Sequence, residues 1–130
     1  MDGEAQIAGA GIDICDVARI ESLIKRHGDA FLKKIFTDAE ISYCRGRADS
    51  AQHYAARYAA KEAMAKAIGT GFSGGITPRG LSVENDAGGA PHAVLDAAAT
   101  EAMRALGAKK MLVSLTHLKE YAQAIAILSR

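Results

Sequence analysis

The chain is predicted to be α+β, with helices packed on a small antiparallel sheet. Three features of its 130 residues carry that prediction. Helical spacing dominates residues 17–68, strand-like alternation dominates the chain after residue 81, and the last two apolar runs are joined by only four residues. Helices first and strands last favour α+β over alternating βαβ units. A chain of this length is expected to form one domain, residues 1–130, with residues 1–6 a frayed terminus.

In order along the chain, Ile7 to Ile14 reads as a strand, apolar and small, with Gly9 and Gly11 tolerable only where something packs against the backbone. Asp16 caps a helix from Val17 to His27, whose Val17, Ile20, Leu23 and Ile24 share a face, and Gly28 stops it. A short helix spans Asp29 to Ile35. Thr37 and Glu40 form a capping box for the next, which runs to about Cys44 and ends at Gly46. Asp49 or Ser50 caps a long helix from about Ala51 to Ile68, with Tyr54, Ala55, Tyr58, Ala59, Ala65 and Ile68 expected inward. The glycine-rich run Gly69 to Gly75 ends it. Leu81–Glu84 and Pro91–Leu95 flank turn residues and predict a hairpin. Asp96 caps a helix from Ala97 to Leu106. Lys110–Thr116 and Tyr121–Leu128 then form an antiparallel pair.

Composition narrows the function. Sixteen basic and fifteen acidic residues nearly cancel, so there is no global signal for nucleic acid or a membrane surface. The basic charge is uneven: Arg19, Lys25, Arg26, Lys33 and Lys34 crowd residues 17–36 against two acids, a face that suits an acidic partner or plain solvent. Cys15 and Cys44 have neither metal-site nor disulfide-framework spacing. No secretory signal and no apolar run of membrane-spanning length is present, so a cytoplasmic location is expected.

The chemistry centres on Arg57-Tyr58-Ala59-Ala60-Lys61-Glu62-Ala63-Met64-Ala65-Lys66, where Tyr58, Glu62 and Lys66 form one helical stripe. Asp13, at a strand end, and Glu62, mid-helix, are the best carboxylate pair. Two carboxylates with open positions suit Mg²⁺ that also takes substrate phosphates. Spacing alone favours local pairing instead, Glu62 with Lys66. His117, at a strand end, could serve as a base or a phosphate donor, though a lone histidine is more often structural. The glycine run could offer backbone N–H groups to phosphate, but it is neither a Walker sequence nor a dinucleotide fingerprint.

In combination, Gly11-Ile12-Asp13, Arg57 to Ala63 with Lys66, Gly69-Thr70-Gly71, and Ser114 to Ala122 resemble the small holo-acyl-carrier-protein synthases, a class of 4′-phosphopantetheinyl transferase. The resemblance runs from Gly11 to about Leu128. It implies that the 4′-phosphopantetheine group passes from coenzyme A to a serine of apo acyl carrier protein, with Mg²⁺, releasing adenosine 3′,5′-bisphosphate. It implies that Asp13 and Glu62 hold the metal, that Arg57, Lys66 and the backbone near Gly69 and Gly71 meet phosphates, and that Thr116 and His117 line the coenzyme site. It further implies a homotrimer with sites between subunits and a basic first helix, bearing Arg19 with Lys25 and Arg26, that docks acidic carrier protein. Cys15 stands where larger relatives carry a third acid, and Leu118 removes one candidate base. Water, a carboxylate near the metal and His117 stay open as the base. Lys61 lies about 100° round the helix from Glu62, and substrate, a neighbouring subunit and solvent stay open for it. Two other functions compete: a non-catalytic module binding coenzyme A or carrier protein, and a structural oligomerisation domain.

Overall fold

The computed structural model describes residues 6–130; of the terminus expected to fray, residues 1–5 lie outside the described residues. Strand β1 (Ile7–Asp16) is followed by α1 (Val17–His27), α2 (Asp29–Ile35), α3 (Asp38–Arg45) and the long α4 (Ser50–Ile68). A 3₁₀ turn (Pro78–Gly80) leads into β2 (Leu81–Asn85), β3 (Pro91–Leu95), α5 (Ala97–Ala105), β4 (Lys110–His117) and β5 (Tyr121–Ser129). The helices and strands are those the sequence predicts, mostly within a residue or two.

The local reasons are visible at the caps. The Asp16 carboxylate accepts from the Ala18 N–H at 2.9 Å, and the Thr37–Glu40 capping box is complete. Asp49 departs from expectation. It occupies the N-cap position of α4 but makes no capping hydrogen bond, because its carboxylate is turned to His53.

The sheet joins what lies far apart in the chain. Its order is β1-β5-β4, all antiparallel, so the first strand completes the pair formed by the last two. The hairpin of β2 and β3 is a separate two-stranded sheet. Alternation along the strands decides which residues face α4. Gly11 and Cys15 on β1, Ala122, Ala124, Ala126 and Leu128 on β5, and Met111 on β4 are buried. The opposite face exposes Ile12, Ile14, Leu112, Tyr121 and Ile125.

Helix α4 is the centre of the molecule, buried on nearly all sides. Its small residues Ala55, Ala59, Ala60, Ala63 and Ala67 let the sheet and the other helices approach it closely. Tyr54, Ala55, Ala59, Ala65 and Ile68 are buried as expected, while Tyr58 is only partly so. Lys61, for which substrate, a neighbouring subunit and solvent stayed open, is turned into the chain's own interior. It is 1% exposed and its ammonium pairs with Glu40, itself 0% exposed, at 2.6 Å. Its other N–H bonds go to the carbonyls of Pro78 and Leu81 at 2.9 and 3.1 Å. Glu40 also closes its capping box and accepts from the Val83 N–H at 2.9 Å. This pair therefore ties α3, α4 and the hairpin together.

Candidate active site

The site begins with two glycines. A Cβ on Gly11 would stand 2.0 Å from the Ala63 carbonyl oxygen, and one on Gly9 would stand 2.3 Å from that of Ala67. Only glycine allows β1 to lie this close to the backbone of α4. Two residues beyond Gly11, on the same face, comes Asp13. It meets the Tyr58–Glu62–Lys66 stripe of the helix.

The contacts there are electrostatic. Lys66 Nζ donates to Asp13 Oδ1 at 3.1 Å and to the Ile12 carbonyl at 3.0 Å. Lys66 thus pairs with Asp13 across the helix–strand contact, where spacing alone favoured Glu62. Partial burial raises the pKa of Glu62, and the Asp13 charge raises it further, against Lys66 and Arg19. Partial burial and then Glu62 likewise raise that of Tyr58, over whose ring the Arg19 guanidinium lies at 6.0 Å. Cys15 is pushed up to about 11, chiefly by burial, which keeps it a thiol at neutral pH and a poor ligand.

Asp13 and Glu62 therefore form a like-charged, partly desolvated pair that a single nearby ammonium helps to compensate. A hard dication relieves that repulsion, and an all-oxygen donor set suits Mg²⁺. The residues present fit the ion.

At the end of α4 the structure redirects one expectation. The N–H groups of Gly69 and Gly71 both donate to the Ala65 carbonyl, at 3.0 and 3.3 Å. They close the helix, so neither donor points to a ligand. What both glycines leave is room: an added Cβ at either would meet nothing within 4 Å.

A second cluster gathers at the other end of α4. His117 Nδ1 donates to Gln52 Oε1 at 2.8 Å. The His117 and His53 rings stand 4.7 Å apart, and His53 Nε2 bonds Asp49 Oδ1 at 3.0 Å. Burial lowers the pKa of His53 while Asp49 opposes the shift. Tyr43 packs edge-on to His53 at 5.7 Å, and the Arg47 and Arg57 guanidiniums lie 4.3 and 4.2 Å from its ring centre. Arg57, expected at a phosphate, is 3% exposed and bonds the Asn85 side chain. Its Nε, also buried, has no partner among the described residues.

In one chain the two clusters stay apart. Asp13 is on β1 and His117 on β4, with β5 between them, a separation of about 10 Å from strand spacing alone. Thr116 and His117 point to opposite sheet faces, Thr116 outward. Arg19, Lys25 and Arg26 lie exposed on α1, with Lys25 3.8 Å from Glu21. Sequence reasoning gave Asp49 only a capping role and assigned no site role to His53 or Asn85, none of which belongs to the motifs. The spacing Asp49-x-x-x-His53 on a helix was the available signal.

Residues 9–126 match the model of the 4′-phosphopantetheinyl transferase superfamily. A holo-[acyl-carrier-protein] synthase of Koribacter versatilis is 45% identical over 122 residues, covering 94% of this chain and 98% of the relative. The crystal structure of the Neisseria meningitidis holo-[acyl-carrier-protein] synthase superposes with a TM-score of 0.87 at 31% identity, over 95% of this chain and 99% of the other. That of the Helicobacter pylori holo-[acyl-carrier-protein] synthase in complex with coenzyme A does so with 0.81 at 28%, over 92% and 99%.

Proposed function

The chain belongs to the 4′-phosphopantetheinyl transferase superfamily, and from that premise we propose that it is a holo-[acyl-carrier-protein] synthase. It transfers the phosphopantetheine group of coenzyme A to a serine hydroxyl of apo acyl carrier protein. The observation that carries this reading is the meeting of Asp13, Glu62 and Lys66 where α4 crosses β1. A phosphoryl transfer needs little covalent help from protein and much charge compensation.

Asp13 and Glu62 would hold Mg²⁺, which supplies charge neutralisation and orientation at the pyrophosphate. The chain's own residues do the rest. Lys66, whose side chain is 53% exposed, can turn its ammonium from Asp13 to a phosphate. The space beside Gly69 and Gly71 lets the coenzyme approach the end of α4. His117, with Nδ1 committed to Gln52, presents Nε2 to the coenzyme. Arg57 acts from beneath that surface by positioning Tyr43. The other product is adenosine 3′,5′-bisphosphate.

The active form we propose is a homotrimer. Its support is the exposed apolar sheet face, where Ile12 is 55% and Ile14 62% exposed, and the separation of His117 from the carboxylates within one chain. Packing of that face would join the carboxylates of one chain to Thr116 and His117 of the next. Exposed Arg19, Lys25 and Arg26 on α1 suit an acidic carrier protein. Among the described residues no helix is long and apolar enough to cross a membrane. Cys15 and Cys44 are free, as suits the cytoplasm.

The test is incubation with apo acyl carrier protein, coenzyme A and Mg²⁺. A phosphopantetheine mass gain on the carrier, lost on chelation, is the expected result. Binding of coenzyme A without any covalent product would instead identify a non-catalytic module.

A further inference from the structure

We propose that Asp49, His53 and His117 form a second metal site, separate from Asp13 and Glu62, that takes a transition-metal dication of the Zn²⁺ class. One ligand atom from each of the three lies within 4.8 Å of the other two. Ions of this class bind nitrogen or oxygen at about 2.0–2.1 Å, so tetrahedral donors sit about 3.3 Å apart. The Asp49 and His53 atoms already do, at 3.0 Å. The His117 ring stands beside them, its centroid 4.7 Å from that of His53.

The donor set separates this site from the carboxylate pair by metal type. Two imidazoles and one carboxylate suit Zn²⁺, Co²⁺ or Ni²⁺, whereas Mg²⁺ prefers oxygen alone. The supporting contacts also fit. The Gln52 carbonyl can only accept, so the hydrogen of His117 is on Nδ1 and its Nε2 lone pair is free to coordinate. The orientation of Asp49 agrees with this. At the N-cap position its carboxylate would ordinarily accept a backbone N–H, yet it makes no such bond and faces His53 instead. Binding exchanges the His53–Asp49 proton for the ion. Asp49 and Gln52 also border a cavity of about 570 Å³, which opens the Asp49 side of the cluster to solvent; His53 and His117 do not line it. The Arg57 charge near His53 opposes a cation, so this is an exchangeable site and not one on which folding depends.

Because His117 Nε2 is the atom offered to the coenzyme above, the site is tested in the coenzyme-free, untagged chain. Excess Mg²⁺ is added to occupy the carboxylate pair. Titration with Co²⁺ is expected to give visible d–d absorbance that saturates at one equivalent per chain. His53→Ala or Asp49→Ala should abolish it, and Gln52→Ala should weaken binding about 10–100-fold. Circular dichroism checks that each variant is folded. In the unsubstituted chain, Zn²⁺ should shift the imidazole nitrogen resonances of His53 and His117 together, so the test survives a variant that fails to fold. Absence of saturable absorbance, equal binding by the His53 and Asp49 variants, or shifts at His27 or His92 instead would overturn the site. None of these readouts depends on transferase activity.

Discussion

Helix α4 carries two rows of charge that look alike in sequence and behave as opposites. Arg57 and Lys61 point to the side of α3 and the hairpin, where both are buried and bonded. Glu62 and Lys66 point toward β1, where they keep access to water and their charges are only partly compensated. In the first row every ammonium proton of Lys61 has a fixed acceptor, so the charge serves architecture. In the second, Asp13 and Glu62 repel across the contact, which leaves their charge only partly compensated, as the proposed cation site requires. A charged residue becomes structural when its partners complete its bonding, and chemically available when they do not.

The largest effect expected is from breaking the buried row. Lys61→Ala leaves Glu40 buried without its ion partner and should cost about 3–5 kcal/mol, read by urea denaturation. The double change Lys61→Met with Glu40→Leu should recover much of that, since it removes both charges together. An Ala variant that kept full stability while losing turnover would put Lys61 in the chemical row.

The exposed row should respond in the reverse way. Asp13→Ala and Glu62→Ala are each expected to lower turnover on the order of 10²–10³-fold, with the thermal midpoint hardly moved. Normal rates in both variants would remove the metal assignment. Gly11→Ala tests the junction that brings the rows to the sheet. Its Cβ would meet the Ala63 carbonyl oxygen at 2.0 Å, backbone against backbone. It should destabilise by about 1–3 kcal/mol and lower activity by displacing Asp13.

The smallest effect is a pH dependence. Folding raises the pKa of Glu62, mainly through burial and then through Asp13. In metal-free protein this group therefore favours the fold below its unfolded pKa, and that advantage is lost as pH rises through the folded value. Glu62→Gln, which stays neutral, should then raise metal-free stability at pH 7 by less than about 1 kcal/mol. The difference should vanish near pH 3, where both carboxyl forms are protonated. A destabilising Gln at neutral pH would mean that Lys66 and Arg19 outweigh the repulsion.

Much of the fold was legible because it is written in neighbouring residues. Caps at Asp16 and Thr37, stops at Gly28, Gly46 and Gly69, and the alternation of β4 depend on contacts a few residues long. The carboxylate pair could be named from residue types, but only the resemblance of whole motifs favoured it over local pairing. Asp13 and Glu62 lie 49 positions apart, and spacing alone favoured pairing Glu62 with Lys66. Lys61 was undecided for the same reason, since its partner Glu40 lies 21 positions away.

By itself the sequence determined which segments coil and which extend, since local hydrogen bonding and side-chain period settle these, and its motifs in their order carried the family resemblance. Tertiary structure decided which charges are buried, which glycines admit the helix, that β1 completes the sheet beside β5, and that Asp49 turns to His53 and not to its own helix. Those outcomes depend on desolvation and on contacts between distant segments, which exist only once the chain has closed around α4.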